Sequence, residues 1–287
     1  MVDRRLKIGA LAALGAALLV AAVVDRRRAR AAMCEGAPPV LDADGVRVMV
    51  ESEIDGFVLR PGRVARCDDP GATPVWRKVR DLVREAQLVR PDGRPVVAHH
   101  APKTRRDLPL ATRLEVHEAS GELVCGRDAV DTDASVWIHE LTHARVATGT
   151  APRARGAHDV LRALGEAAGD FVAASVTGRA TIGSSLVVRD LSAPPRLGPE
   201  GFAALSLGHG VVDPHAVGWD IAAALYAAPE RRAPAFRAGL LRCFDAPRAE
   251  DDAVELVRAF VAACPPEVRG EVRGVVRQVT PEGVVPE

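Results

Sequence analysis

The sequence predicts an α+β fold, with a small N-terminal mixed sheet and accompanying helices followed by a mainly helical C-terminal half. Three observations carry this. Short β-type runs set off by Gly and Pro turn signals fill residues 46–130. From residue 134 onward the apolar residues recur with helical period. Strands first and helices later suit segregated layers better than a repeating βαβ alternation.

Each element follows from its residues. EGAPPVLDAD (35–44) reads as a linker. VRVMVES and GFVLRPGRVARC read as short strands, with PG as the turn. VWRKVRDLVREAQLV (75–89) places Val75, Val79, Leu82, Val83, Ala86 and Val89 on one helical face. RPVVAHH (94–100) is a further strand, and RLEVHE and GELVCG form a hairpin. SVWIHELTHARVA is helical up to the breaker GTAPRARG, and AHDVLRALGEAAGDFVAASV is the next helix. A loop rich in Pro and Gly (180–213) leads to the helix HAVGWDIAAALYAA. Helices at 230–243, 250–264 and 265–279 complete the chain. The expected organisation is 1–34 as anchor or export signal, 35–130 as a β-rich lobe and 131–287 as a helical lobe. The two lobes together make one domain.

With 287 residues, 48% hydrophobic and 26% charged at a formal net charge of zero, the composition is globular. The balanced charge argues against nucleic acid as a partner, because such binders carry a basic excess.

Ile8 to Val24 form an uncharged run of 17 residues after the basic MVDRRLK. As a helix it would rise roughly 25 Å, slightly short of a hydrocarbon core of ~30 Å. The basic stop at Arg26 to Arg28 fits an uncleaved signal-anchor. Ala29-Arg30-Ala31 fits a cleaved export signal, and Arg4-Arg5 a twin-arginine one. The arginines between the apolar run and that cut site favour the anchor. The expectation is a transmembrane helix, the membrane as a partner, and a body held outside the cytoplasm; the alternative is export after signal cleavage. Five cysteines suit an oxidising compartment. Cys67 with Cys125 is the first expected pair. Cys243 and Cys264 are expected ~20 Å apart, on an antiparallel helix pair.

The chemistry sits in WIHELTHARV (137–146). His139 and His143, four apart, project from one helical face and can reach one metal ion. Glu140 is rotated about 100° away, beside the metal and not on it, where it can take a proton. A chance HExxH is expected about 0.01 times in such a chain. ALGEAAGDF then places Glu166 and Asp170 at i and i+4, with Glu166 23 residues after His143. If GTAPRARG turns the chain back, His139 and Glu166 both stand ~14 Å from the turn. Glu166 becomes a third ligand, leaving an open fourth position of the kind a catalytic zinc keeps. Asp170 is placed to accept the free N–H of a ligand histidine.

HELTHA followed by GEAAGDF resembles the HExxH plus downstream ExxxD pattern of the thermolysin-like zinc metallopeptidases, the gluzincin class. A looser match is His215, eleven residues before Tyr226 in DPHAVGWDIAAALY. The resemblance covers residues 130–230. It implies a zincin-like fold with the active-site helix between the two lobes, and one zinc ion held by His139, His143 and Glu166. It also implies Glu140 as general base and later proton donor, and a peptide or protein substrate. His215 would stabilise the tetrahedral intermediate, oriented by Asp213 or Asp220. GELVCG is the candidate strand for pairing with a bound peptide. The chain departs from the family in lacking its further tyrosine donor: Tyr226 is the single tyrosine, which leaves that role to His158 or to nothing. The alternative reading is a non-catalytic zinc-binding scaffold on the same fold. His99, His100, His117 and His209 read as ordinary surface or core histidines, and Arg189-Asp190 as a surface ion pair, with a substrate clamp as the alternative.

Overall fold

The structure, a computed structural model, describes residues 21–25, 28–55, 58–104, 113–117, 120–147, 154–184, 187–193, 195–246 and 250–285. It is α+β with a mixed sheet. The strands are β1 (Asp42–Ala43), β2 (Val46–Val50), β3 (Glu53–Asp55), β4 (Val58–Arg60), β5 (Arg63–Val64), β6 (Val96–His100), β7 (Lys103–Thr104), β8 (Leu114–His117), β9 (Glu122–Cys125), β10 (Thr181–Ser184) and β11 (Val187–Asp190). The helices are α1 (Ala72–Glu85), α2 (Ala134–Val146), α3 (Arg155–Thr177), α4 (Gly198–Ser206), α5 (Pro214–Tyr226), α6 (Pro234–Arg242), α7 (Ala253–Ala263) and α8 (Pro266–Val279).

The main sheet runs β1-β2-β6-β9-β8, with β5 also paired to β2. β2, β6 and β9 are mutually parallel, and β8 returns antiparallel on β9 through the expected hairpin. The parallel pair β2–β6 needs a crossover, and α1 supplies it, burying Val75, Trp76, Val79, Leu82 and Val83. The Pro61-Gly62 turn does not make a hairpin. β4 before it pairs with β3, and β5 after it pairs with β2, so the turn moves the chain between sheets.

Helix α2 is buried on nearly every side, through Ser135, Trp137, Ile138, His139, Leu141, Thr142, Ala144 and Arg145. A helix without a polar face belongs in an interior, and α2 lies between the sheet and α3. Its N-terminus is pinned by Asp133, which accepts from Ser135 N–H at 2.8 Å and receives Arg179 Nη2 at 2.7 Å. The Ser135 hydroxyl in turn accepts from Gly183 N–H on β10. At the other end Arg145 pairs with Asp245 at 2.8 Å. Helix α3, about 34 Å long, packs on α2 with one side and α5 with the other.

Several expectations are corrected. The 180–213 loop contains the hairpin β10–β11 and the helix α4; Thr181, Ile182, Val187 and Val188 are β-formers. Pro234 divides the 230–243 helix into a short 3₁₀ turn and α6. The disulfides are Cys34–Cys67 and Cys243–Cys264, and Cys125 is free and buried. Cys67 follows β5, three strand spacings or about 14 Å across the sheet from β9, so it cannot reach Cys125. Cys243 and Cys264 cap the C-terminal ends of α6 and α7, which finish side by side with Cα atoms 4.2 Å apart.

The transmembrane helix, the signal-anchor, the membrane as partner and the membrane-anchored, extracytoplasmic location are also corrected. Among the described residues no helix is long and apolar enough to cross a membrane. Spanning takes about 20 apolar residues, whereas the described part of that run ends at the charged Asp25 after Ala21–Val24. Residues 1–20, carrying Arg4-Arg5 and most of the run, lie outside the described residues, as do Arg26 and Arg27. Nothing in the fold shows export after signal cleavage either. The segment that follows is tied to the body by Cys34–Cys67 and by Arg77, which donates to the Glu35 carbonyl.

Candidate metal centre

The four-residue spacing of His139 and His143 on α2 brings their Nε2 atoms to 3.0 Å from each other. Helix α3 meets α2 antiparallel, pairing position 139 with 170 and 143 with 166. Glu166 Oε2 lies 3.3 Å from His139 Nε2, and Glu166 Oε1 lies 3.4 Å from His143 Nε2. One ligand atom from each of the three residues falls within 4.8 Å of the other two, and this buried group could hold a metal ion. The turn residues 148–153 lie outside the described residues. The register differs by one turn from the expected one: His139 stands level with Asp170 and not with Glu166, which is level with His143 and still reaches both histidines.

Asp170, fully buried, stands behind the first histidine, its Oδ1 2.8 Å from His139 Nδ1. With Nδ1 facing a carboxylate, Nε2 is turned toward His143 and Glu166. Arg189, arriving from β11, touches both acids: Nη1 is 3.3 Å from Glu166 Oε2 and 3.1 Å from Asp170 Oδ2. It is no surface ion pair with Asp190, whose carboxylate instead caps Ser192.

Two imidazoles and one carboxylate facing one another form a group that could hold a metal ion. Burial alone would push the His139 imidazole down, but Asp170, and behind it Glu166 and Glu140, lift it to about 10. Burial likewise pushes Glu166 up, yet His139 and His143 outweigh it and hold the carboxyl well below the usual range. The acids around His139 therefore favour positive charge on its ring. Of the two buried acidic charges, Arg189 offsets one.

Glu140 lies beside the ligands on the same helix, and its Oε2 accepts from the Val116 N–H of β8 at 3.1 Å. That contact sets the Glu140 carboxylate against a sheet edge. Among the described residues β8 is the outermost strand on this side, while β9 is internal between β6 and β8. GELVCG is thus corrected: it forms an internal strand, and the outermost described strand on this side is the preceding one, β8.

His215 reaches the cluster from α5. Its Nε2 is 3.2 Å from Glu166 Oε1, and its Nδ1 is 2.8 Å from Asp213 Oδ1. Asp213 also caps α5 through His215 N–H at 3.0 Å. Burial nudges the Asp213 carboxyl up, but His215 outweighs it and leaves it below its ordinary value. Close packing makes this possible: a Cβ on Gly218 would stand 2.6 Å from Glu166 Cβ and 2.8 Å from the Ala163 carbonyl. Asp220, the other candidate partner of His215, accepts instead from the backbone N–H groups of Arg196, Leu197 and Gly198. His158 sits near Asp159, 3.7 Å away, and makes no described contact with the cluster. Tyr226 lies at the far end of α5 beneath the Arg232 guanidinium.

Sequence reasoning named Arg189 but missed its contacts with Glu166 and Asp170. The available signal was the β-type run around it, TIGSSLVVRD, which marks a hairpin and not a loop. His139 and Asp170 are sealed from water, whereas His143, His215 and Asp213 are partly exposed. Solvent therefore reaches the cluster from the α5 side. No family model, no curated protein and no solved structure matches the chain.

Proposed function

We propose that the chain is a zinc-dependent peptide hydrolase of the zincin-like, thermolysin-like type. The observation that carries this reading is the convergence of His139, His143 and Glu166 within 4.8 Å. Two imidazoles and one carboxylate form a donor set suited to catalytic zinc, leaving a position for water or substrate. Bound there, zinc would supply a Lewis acid that polarises the scissile carbonyl and makes water acidic enough to attack.

The chain's own residues do the rest. Glu140 takes the proton of the attacking water and returns it to the leaving amine as the C–N bond breaks. His215, oriented by Asp213, provides a donor for charge developing on the carbonyl oxygen. Asp170 holds the His139 ring by its Nδ1, and Arg189 balances the buried acids. An extended peptide would pair with the open edge of β8, beside Glu140.

Digestion of a broad peptide library by the full chain, with and without a chelator and alongside elemental analysis, tests this. One zinc per chain with chelator-sensitive cleavage is expected. Absence of metal, or cleavage indifferent to the chelator, overturns it. One observation favours a second reading, a zinc-binding scaffold without turnover. Tyr226 is buried against Arg232 at the end of α5 opposite His215, which leaves the site without a tyrosine donor. Bound zinc with no cleavage of any library peptide would select that reading.

A further inference from the structure

Two glycines of α3 face the two histidines of α2, and they are not equivalent. A Cβ built on Gly165 would lie 3.6 Å from His143 Nδ1 and 3.7 Å from its Cε1, ordinary van der Waals contact. A Cβ on Gly169 would lie 2.7 Å from His139 Nδ1, 2.9 Å from Cε1 and 3.1 Å from Cγ, inside contact distance across one edge of the ring. The ring has little room to retreat. It is 4% exposed, with Asp170 at 2.8 Å from Nδ1, Glu166 at 3.3 Å from Nε2 and the His143 ring edge-on at a centroid distance of 4.6 Å. Gly169 is also buried, in the interior of a 23-residue helix. There glycine weakens the helix relative to alanine and exposes no backbone to a ligand. Local helix preference therefore runs against it, and its φ is ordinary for a helix, so backbone freedom is not its use.

We propose that Gly169 is a positioning residue for the metal centre: its missing side chain is the space in which the His139 imidazole lies. This inference rests on the reading of His139 as a metal ligand. An added methyl group forces the ring to shift by several tenths of an ångström, comparable with the ~0.5 Å within which a first ligand shell must be held. The shift tilts Nε2 away from the point shared with His143 and Glu166 and breaks the approach of Nδ1 to Asp170. Effects of 10–100-fold on metal affinity are usual when the support of a ligand histidine is disturbed.

The test compares the full chain with Gly169→Ala and Gly165→Ala. Zinc affinity is measured by competition with a chromophoric chelator, and ligand geometry by the visible absorption of the cobalt(II)-loaded protein. Gly169→Ala is expected to lose 10-fold or more in affinity and to change the cobalt spectrum, while Gly165→Ala changes neither. Equal affinity and an identical spectrum for Gly169→Ala overturn the inference. If the parent chain binds neither ion, the metal reading fails, and a metal-independent arm still decides the packing claim. In a His139→Ala background, with no ring to meet, Gly169→Ala should raise the melting temperature, because alanine favours the helix. In the parent background it should lower it. The same sign in both backgrounds shows that the ring does not need the space and sinks the inference; the opposed signs support it even if Gly169→Ala alone folds poorly.

Discussion

Asp170 Oδ1 lies 2.8 Å from His139 Nδ1, on the opposite edge of the ring from the nitrogen that faces His143 and Glu166. The pair links α3 to α2 and fixes which nitrogen is left for a metal. Asp170→Asn keeps the volume and removes the charge. It should weaken zinc binding about 10–100-fold with little change in helix content, measured by chelator competition and circular dichroism. Unchanged affinity would remove Asp170 from the centre.

Glu140 is attached to the site differently, through the edge-strand N–H of Val116 at 3.1 Å. Glu140→Gln retains an acceptor for that N–H and loses the base. The variant should keep its zinc and lose roughly 10²–10⁴-fold in peptide hydrolysis. Parental rates in a metal-loaded variant would refute the assigned chemistry.

His215 depends on how closely α5 approaches α3. Because a Cβ on Gly218 would stand 2.6 Å from Glu166 Cβ, Gly218→Ala must push the helices apart. Overpacking of this kind costs about 1–3 kcal/mol. The expected result is a lower melting temperature and a larger loss in kcat than in zinc affinity. Equal losses in both would place the effect on the ligands and not on His215.

Asp133 caps the helix that carries His139 and His143, and through Ser135 couples it to the hairpin that carries Arg189. Burial raises its carboxyl somewhat, but Arg179 and Ser135 prevail and bring it down from 3.8 to about 2. A depressed carboxylate stabilises the fold above its unfolded value and loses that contribution as pH falls through the folded one. Stability should therefore drop by about 1 kcal/mol, after solvent screening, between pH 3.8 and about 2. In Asp133→Ala the melting temperature should be lower at neutral pH, and this component of the acid dependence should vanish. A parallel pH profile for the two proteins would contradict it.

Thiol labelling tests the cysteine assignment. Cys125 is buried, and burial together with the nearby Glu140 raises its thiol well above the ordinary range. The native chain should react with no alkylating reagent, and the unfolded, unreduced chain at a single cysteine. Breaking Cys34–Cys67, which spans 33 residues, should cost about 3–4 kcal/mol on the loop-entropy account. Labelling at more than one position without reduction would disprove the pairing.

What the sequence by itself determined is what depends on short-range geometry. His139, Glu140 and His143 take their relative directions from the helical repeat, and so do Glu166 and Asp170. An α+β composition follows from the change of apolar period along the chain. The β8–β9 hairpin follows from two β-type runs around a short turn.

Only the tertiary structure decided what lies between elements distant in sequence. It placed Arg189 against Glu166 and Asp170, chose Asp213 and not Asp220 for His215, and made β8 rather than β9 the outermost described strand on this side. It also paired Cys34 with Cys67 and Cys243 with Cys264 against the expectation drawn from helix lengths. Sequence spacing measures distance along one helix or strand, whereas these contacts depend on strand order and on how closely helices pack. That closeness is set at glycines such as Gly169 and Gly218, where the deciding feature is a side chain that is missing.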